Sequence, residues 1–259
     1  MQAENFNLQR YLQRIGYAGD VKADAATLAE IMRCQLFTVP FENLDVQAGK
    51  IVSLVPEHIV EKIIDHQRGG YCYEVNGIFA MALRALDIPF RLIAARPMFY
   101  PVRRPKTHMA IVATVDGEDW LCDLGFGSYG IRAPMRLGLL DVEVQQDADR
   151  FKLSRVESGE YLLQAYAGGQ WQNQYGFDLS PQEWIDFEPA NYMNSTHPGA
   201  IFVQKVVVVL HNPQGRDILV GSQLKTVTQG KVEERALDPE EVNTVLGSKF
   251  GLPRVTPRP

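Results

Sequence analysis

Apolar residues recur at helical spacing through the first third of the chain. Leu8, Tyr11, Leu12 and Ile15 mark the first such stretch, on one face of a predicted amphipathic helix. A third stretch opens at Pro56, because proline suits the first turn of a helix. The pattern predicts four helices, at residues 8–15, 28–36, 56–66 and from the region of Cys72 to Leu86.

After Asp87 the pattern changes to short runs typical of strands, bounded by Gly, Pro, Asp and Asn. Asp116-Gly117 is a strong signal for a two-residue hairpin turn. From about Asn191 we expect further strands, near 201–210 and 217–228, and then a helix from Asp238 to about Leu246. The earlier strands are predicted at 90–95, 107–115, 120–123, 151–156, 161–166 and 171–175. Helices followed by antiparallel strands and a mixed final segment predict the α+β class.

Composition and charge narrow the possible partners. The 259 residues carry a formal charge of −5, so no basic excess is available to neutralise nucleic-acid phosphates. No apolar run, Val206–Leu210 included, approaches the roughly 18 residues that span a bilayer. The N-terminus lacks the pattern of a signal peptide. We therefore expect a cytoplasmic protein that binds neither nucleic acid nor membrane, as a monomer or homodimer.

Three scattered cysteines form neither a disulfide framework nor a paired zinc spacing, so no metal site is predicted. The densest basic stretch is Arg91–Lys106. It is either a solvated loop or a local positive rim for an anionic ligand such as a CoA phosphate.

The segment Arg68–Cys72 (Arg-Gly-Gly-Tyr-Cys) places a thiol where a loop enters a helix. The two glycines allow tight, unusual backbone angles there. A helix N-terminus stabilises an anion, which favours the thiolate, and its free N–H groups are suited to hold an oxyanion. The alternative is a buried structural cysteine.

A cysteine nucleophile needs a base and a group that orients the base. If Asp116-Gly117 forms a two-residue turn, Val115 faces Glu118, and Asp123 lies on the same face of the hairpin as His108 at a diagonal of roughly 7–8 Å. A three-residue loop would reverse this parity. His108 alone is equally explained as a core residue, and Asp123 as a turn former.

Taken together, Cys72, His108 and Asp123 indicate an enzyme that transfers acyl groups through a Cys-His-Asp triad. From the residues alone, that class includes proteases, transglutaminases and acyltransferases.

Several elements, in this order and at similar intervals, make the sequence resemble the arylamine N-acetyltransferase family. They are Val39–Asp45 (Val-Pro-Phe-Glu-Asn-Leu-Asp), Arg68–Gly77, Thr107–His108, Cys122–Gly127 and Asn194–Pro198. The resemblance implies a helical bundle with the nucleophile (1–87), a small antiparallel β-barrel with the histidine and aspartate (88–190) and an α/β lid (191–259). It also implies a nucleophile arrangement like that of cysteine proteases.

The same resemblance implies a ping-pong reaction with acetyl-CoA as co-substrate and no permanently bound cofactor. Cys72 would carry the acetyl group to an aromatic amine, an arylhydroxylamine or a hydrazine. It further implies an ion pair between Arg68 and Glu42, and an oxyanion donor at the backbone N–H of Tyr73. The substrate-binding or CoA-binding residues it suggests are Phe41, Gly125, Phe126, Gly127 and His197.

The sequence departs from the family pattern at its C-terminus, where Pro253–Pro259 cannot continue a helix. We therefore expect a more open cleft. This departure leaves open a macrolactam-forming amide synthase that takes a long acyl chain from a carrier protein. A cysteine hydrolase or transglutaminase and an inactive binding module are further alternatives.

Overall fold

The structure, a computed structural model, describes residues 1–127 and 129–255. Its helices are Leu8–Ile15 (α1), Ala25–Thr38 (α2), Leu44–Gln47 (α3), Pro56–Val60 (α4), Cys72–Ala85 (α5), Glu188–Thr196 (α6), Ile201–Gln204 (α7) and Pro239–Phe250 (α8). A π-helical turn, Glu61–Asp65, continues α4, and a 3-10 turn, Trp184–Phe187, precedes α6. No helix within the described ranges combines the length and apolar character needed to span a bilayer.

The strands are Phe41–Glu42 (β1), Phe90–Pro97 (β2), His108–Val115 (β3), Glu118–Cys122 (β4), Met135–Arg136 (β5), Val144–Gln146 (β6), Asp149–Arg155 (β7), Tyr161–Ala167 (β8), Gln170–Phe177 (β9), Val207–Asn212 (β10), Gly215–Val220 (β11), Gln223–Thr228 (β12) and Lys231–Ala236 (β13). The mixture of helices and antiparallel strands confirms the predicted α+β class.

Local capping explains where several helices begin and end. The Asn7 side chain accepts a hydrogen bond from the Arg10 N–H at the start of α1, and Gly16 ends that helix in the left-handed conformation. Asp24 and Asp238 cap α2 and α8 in the same way. Helix α5 differs, because its residues from Cys72 to Leu83 are all buried. It is therefore the central helix, packed against strand β3.

The larger sheet has the strand order β5-β4-β3-β2-β9-β8-β7-β6, all antiparallel. Among the described strands, no pairing joins β5 to β6. The sheet is thus a curled half-barrel and not the small antiparallel β-barrel that the family resemblance implied. Only a closed barrel has no edge strands. Here β5 and β6 remain as short edge strands, of two and three residues.

The smaller sheet has the order β1-β10-β11-β12-β13 and covers helix α8 with a separate apolar cluster. Strand β1 pairs with β10, so the chain around Phe41 is joined directly to the C-terminal third. Two predictions are wrong here. Residues 201–204 are helical, and the single strand predicted at 217–228 is the hairpin β11–β12. Residues 256–259 of the predicted lid lie outside the described part.

Candidate active site

Cys72 is the first residue of α5 and is buried, at 3% exposure. The two glycines before it, for which tight, unusual backbone angles were expected, do not have a positive φ. Their small size matters instead. A Cβ atom on Gly69 would lie 1.8 Å from the Pro40 carbonyl oxygen, and one on Gly70 would lie 2.5 Å from the Glu74 Cβ. Because the glycines lack a side chain, the loop can pass close to Pro40 and Glu74, and Cys72 becomes the first residue of α5.

The predicted ion pair between Arg68 and Glu42 is confirmed. Arg68 Nε and Nη2 donate to Glu42 Oε1 at 2.9 and 2.6 Å. The pair belongs to a buried network in which Lys62 Nζ lies 2.7 Å from Glu74 Oε1 and 2.6 Å from Asp45 Oδ2. Burial raises the pKa of the Glu74 carboxyl to about 7, although Lys62 opposes this rise. Glu74 also accepts the Tyr71 N–H at 3.0 Å, so the network holds the start of α5.

His108 and Asp123 come together as the hairpin register predicted. Val115 pairs with Glu118 across Asp116-Gly117, whose φ angles of 55° and 76° fit a two-residue turn. His108 Nε2 donates to Asp123 Oδ2 at 2.8 Å. Asp123 follows the last residue of β4 and is buried, at 1% exposure.

The charge state of the pair follows from its surroundings. Burial by itself lowers the pKa of His108, but Asp123 and the neighbouring Cys72 raise it, to about 10. Burial likewise opposes the charge of Asp123, yet His108 lowers the pKa of its carboxyl. The imidazolium and the carboxylate therefore stabilise each other.

Asn76 is a residue of this site that the sequence analysis did not identify. Its Nδ2 donates to the Met109 carbonyl at 2.8 Å and to Asp123 Oδ1 at 3.1 Å, and its Oδ1 accepts the Leu124 N–H at 2.9 Å. It links helix α5 to strand β3 and to the residues that follow β4. The available signal was its position four residues after Cys72, which places a polar side chain on the same face of a buried helix.

A cavity of about 80 Å³ opens beside these residues. Its lining includes Cys72, His108, Gly125 and Phe126. A Cβ on Gly125 would lie 2.5 Å from the Cys72 Cα, so only glycine permits this approach. The ring of Phe126 meets the His108 ring edge-on at 5.2 Å and forms an aromatic wall.

The other predicted binding residues lie around this cavity without lining it. Phe41 packs against Gly127, where a Cβ would lie 3.1 Å from the Phe41 ring. His197 is exposed at the end of α6, and its Nδ1 accepts the Gly199 N–H. Tyr73 is the second residue of α5, and its hydroxyl donates to the Thr107 carbonyl at 2.8 Å.

The chemical capacity of the site is that of a thiol beside an imidazolium–carboxylate pair, at the N-terminus of a helix. Within the part of the chain that the structure describes, no group of three or more His, Cys, Asp or Glu side chains is placed to hold a metal ion. Such a constellation is suited to acyl transfer through a covalent thioester.

Comparison with known proteins agrees with this chemistry. A family model described as N-acetyltransferase matches residues 24–256. The arylamine N-acetyltransferase of Mycolicibacterium smegmatis is 32% identical over 95% of this chain and 92% of its own length. The structure of the Mycobacterium abscessus arylamine N-acetyltransferase superposes with a TM-score of 0.90 at 31% identity, covering 96% of this chain and 91% of the other. That of the Mycobacterium marinum enzyme in complex with CoA gives 0.90 at 29% identity, covering 95% and 93%. The chain therefore belongs to the arylamine N-acetyltransferase family.

Proposed function

We propose that this protein transfers an acetyl group from acetyl-CoA to an arylamine, an arylhydroxylamine or a hydrazine, through an acetyl-Cys72 intermediate. The observation that carries the proposal is the position of Cys72 at the start of α5, beside the His108–Asp123 pair and on the wall of the cavity. The CoA complex of the similar Mycobacterium marinum enzyme supports acetyl-CoA as the donor.

His108 with a pKa of about 10 is already protonated, so in the first half-reaction Cys72 attacks the carbonyl carbon of acetyl-CoA as the thiolate paired with that imidazolium. Asp123 accepts from Nε2, which leaves Nδ1 as the ring nitrogen that exchanges the proton with sulfur. The bond from the acetyl carbon to the CoA sulfur then breaks, and CoA leaves with the proton from the imidazolium. The products are acetyl-Cys72 and CoA.

In the second half-reaction the amine nitrogen attacks the acetyl-Cys72 carbonyl. The carbon–nitrogen bond forms, the bond to the Cys72 sulfur breaks, and a proton from the amine passes to His108, which restores the thiolate and the imidazolium. In both steps the developing oxyanion lies at the N-terminus of α5. We assign the backbone N–H of Tyr73 as its donor, because it lies in the first turn of that helix.

The remaining assignments concern binding and organisation. Gly125 and Phe126, which line the cavity, would contact the substrates directly. Phe41, Gly127 and His197 would contact CoA or the acceptor from the surrounding surface. The chain would divide into a helical bundle with the nucleophile (1–87), a half-barrel with the base (88–190) and a lid (191–259). A cysteine at the start of a helix that faces a histidine on a sheet supports this division. That arrangement resembles cysteine proteases.

The intact mass after mixing with acetyl-CoA, without acceptor, tests the proposal. We expect the protein to gain one acetyl group and to lose it when an arylamine is added, with acetylated amine as the product. Cys72→Ala should gain none, because its side chain cannot form the thioester. Cys34→Ala is the matched control, since Cys34 is a free thiol on α2, outside the cavity lining, and this variant should behave like the wild type.

Three results would contradict the proposal. An acetyl group on Cys72→Ala would place the chemistry elsewhere. Release of the acetyl group by water, at the same rate with and without an amine, would indicate a hydrolase. Acylation only by a carrier-bound long acyl chain would indicate an amide synthase.

A further inference from the structure

The connection between β2 and β3 forms one wall of the cavity and contributes its only fixed charge among the described lining residues. Arg104 lines the cavity together with Cys72 and His108. No carboxylate belongs to the described lining, and apart from Cys72 and His108 its other residues are aromatic, aliphatic or neutral polar. A cation therefore lies in the same small cavity as the nucleophile.

Neutral groups hold this cation in place. The Arg104 guanidinium lies 4.5 Å from the centre of the Tyr100 ring, and its Nη1 is 3.5 Å from the Gly199 carbonyl oxygen. The Arg96 guanidinium donates to the backbone carbonyl of Arg104 and so fixes the loop. The cation–π contact orients the guanidinium without neutralising it.

Nearby, Lys106 is paired with Asp178. Among the described residues, no carboxylate lies within ion-pair distance of Arg104. A half-buried charge without a counter-charge is costly to keep out of water, and an anionic ligand would offset that cost.

Aromatic rings connect this cation to the catalytic histidine. Phe126 contacts the His108 ring at 5.2 Å and the Phe99 ring at 5.7 Å, and Phe99 lies 4.2 Å from Tyr100, on which Arg104 rests. A flat aromatic ligand packs well along such a wall.

We propose that Arg104 binds an acidic substituent, such as a carboxylate, on the aromatic ring of the acceptor. This inference rests on the proposed acetyl transfer and identifies its preferred acceptors as arylamines that carry a negative charge, such as aminobenzoates. The phosphates of CoA are the other source of negative charge. They lie at the far end of the long pantetheine arm from the reacting sulfur, whereas Arg104 shares a small cavity with Cys72.

The test compares 4-aminobenzoate with its neutral isostere 4-aminobenzamide as acceptors for the acetylated enzyme. In Arg104→Gln we expect kcat/KM for 4-aminobenzoate to fall about thirtyfold, because a charge-assisted hydrogen bond is lost. The value for 4-aminobenzamide should stay within about twofold of wild type. Arg104→Lys should retain most of the preference for the acid, since it keeps the charge.

Arg103→Gln is the matched control, because it removes the same charge one residue away at an exposed position outside the cavity lining. It should leave both acceptors unchanged. Acylation by 4-nitrophenyl acetate, a neutral donor without phosphates, reports whether each variant is folded and active.

An equal loss for both acceptors in Arg104→Gln would overturn the proposal and indicate that Arg104 only shapes the loop. Slower acylation by acetyl-CoA but not by 4-nitrophenyl acetate, with acceptor preference unchanged, would also overturn it in favour of the CoA phosphates. A wild-type protein that acetylates neither amine would instead count against the proposed function.

Discussion

Two buried histidines of this protein have nearly the same exposure and opposite charge states. His108 is 4% exposed and His211 is 5% exposed. His108 donates to the Asp123 carboxylate, which helps to raise its pKa to about 10 despite burial. His211 has no such partner among the described residues. Burial, and then Arg216 and Arg132, hold its pKa well below the usual value.

Hydrogen-bond chemistry independently sets the protonation of His211. Its Nδ1 lies 3.2 Å from Arg132 Nη1. Because a guanidinium can only donate, Nδ1 must be the acceptor and carries no proton. The ring is therefore neutral, and it serves as an acceptor for a buried cation.

The cluster around His211 joins the two sheets. Arg132 also donates to the Gly215 carbonyl at 2.9 Å and to Asp147 at 2.7 Å, and Arg216 makes a two-point contact with Asp149. The cluster residues lie on the β10–β11 hairpin of the smaller sheet, on the β6–β7 hairpin of the larger sheet and, for Arg132, in the connection between β4 and β5. None of them lines the cavity. Burial of a histidine thus indicates no function by itself. The sign of the neighbouring charge, and access to a cavity, distinguish the catalytic candidate from the structural one.

The largest expected effect comes from removing the negative charge beside His108. In Asp123→Asn, acylation by 4-nitrophenyl acetate should slow about ten-thousandfold, because the imidazolium loses its counter-charge and its proton is no longer held on Nε2. Stopped-flow acylation with 4-nitrophenyl acetate measures the rate directly.

The matched control is Asp147→Asn, the same substitution in the His211 cluster, and it should leave acylation of the folded protein within about twofold of wild type. A loss smaller than tenfold in Asp123→Asn would show that the pair is not required for chemistry, and the two histidines would no longer differ in role.

A smaller effect, on the free energy of unfolding, is expected in the cluster around His211. Arg132→Met should lower the free energy of unfolding by about 3–5 kcal/mol, because it leaves carbonyl groups and Asp147 without their buried donor. Denaturant titration measures this change, and acylation per folded molecule should be retained.

Arg33→Met removes the partly exposed partner of the same Asp147 and should cost no more than about 1 kcal/mol. Equal losses of unfolding free energy in Arg33→Met and Arg132→Met would mean that the buried contacts of Arg132 contribute no more stability than a surface ion pair.

The smallest effect is the pH dependence of stability that His211 confers. When the protein unfolds, His211 regains its ordinary pKa of about 6.5, so below that pH the unfolded state binds a proton that the folded state does not. Stability should fall with falling pH, with a limiting contribution of about 1.4 kcal/mol per pH unit. In His211→Gln, denaturant titrations at pH 7, 6 and 5 should show a correspondingly shallower loss.

The pH dependence of stability that His108 confers has the opposite sign. Its raised pKa makes its contribution to stability complete below about pH 6.5, and this contribution disappears as the pH rises through about 10.

If His211→Gln left the loss of stability between pH 7 and pH 5 unchanged, the neutral ring inferred for His211 would be wrong.

Local patterns in the sequence were sufficient for part of this structure. The helix that begins at Cys72 and the pairing of Val115 with Glu118 were both predicted, because capping, turn chemistry and side-chain alternation act over a few residues. The same alternation placed His108 and Asp123 on one face. The Arg68–Glu42 ion pair was expected only through the family resemblance.

Other features depend on groups far apart in the chain. Residues 201–204 read as the start of a strand, yet they form a helical turn whose Phe202 and Lys205 carbonyls bind Asn43. The opening of the half-barrel, the space that requires Gly69 and the links made by Asn76 likewise arise from packing between distant segments.

The two histidines show most clearly which features follow from local sequence and which require the folded chain. The sequence analysis placed His108 in a predicted strand, whereas the strand predicted near 201–210 stopped one residue before His211, which lies in β10. Only the folded chain brings Asp123 to one ring and Arg132 and Arg216 to the other. Electrostatic interactions act through space and strengthen away from water, so the protonation state of each ring was decided by tertiary structure.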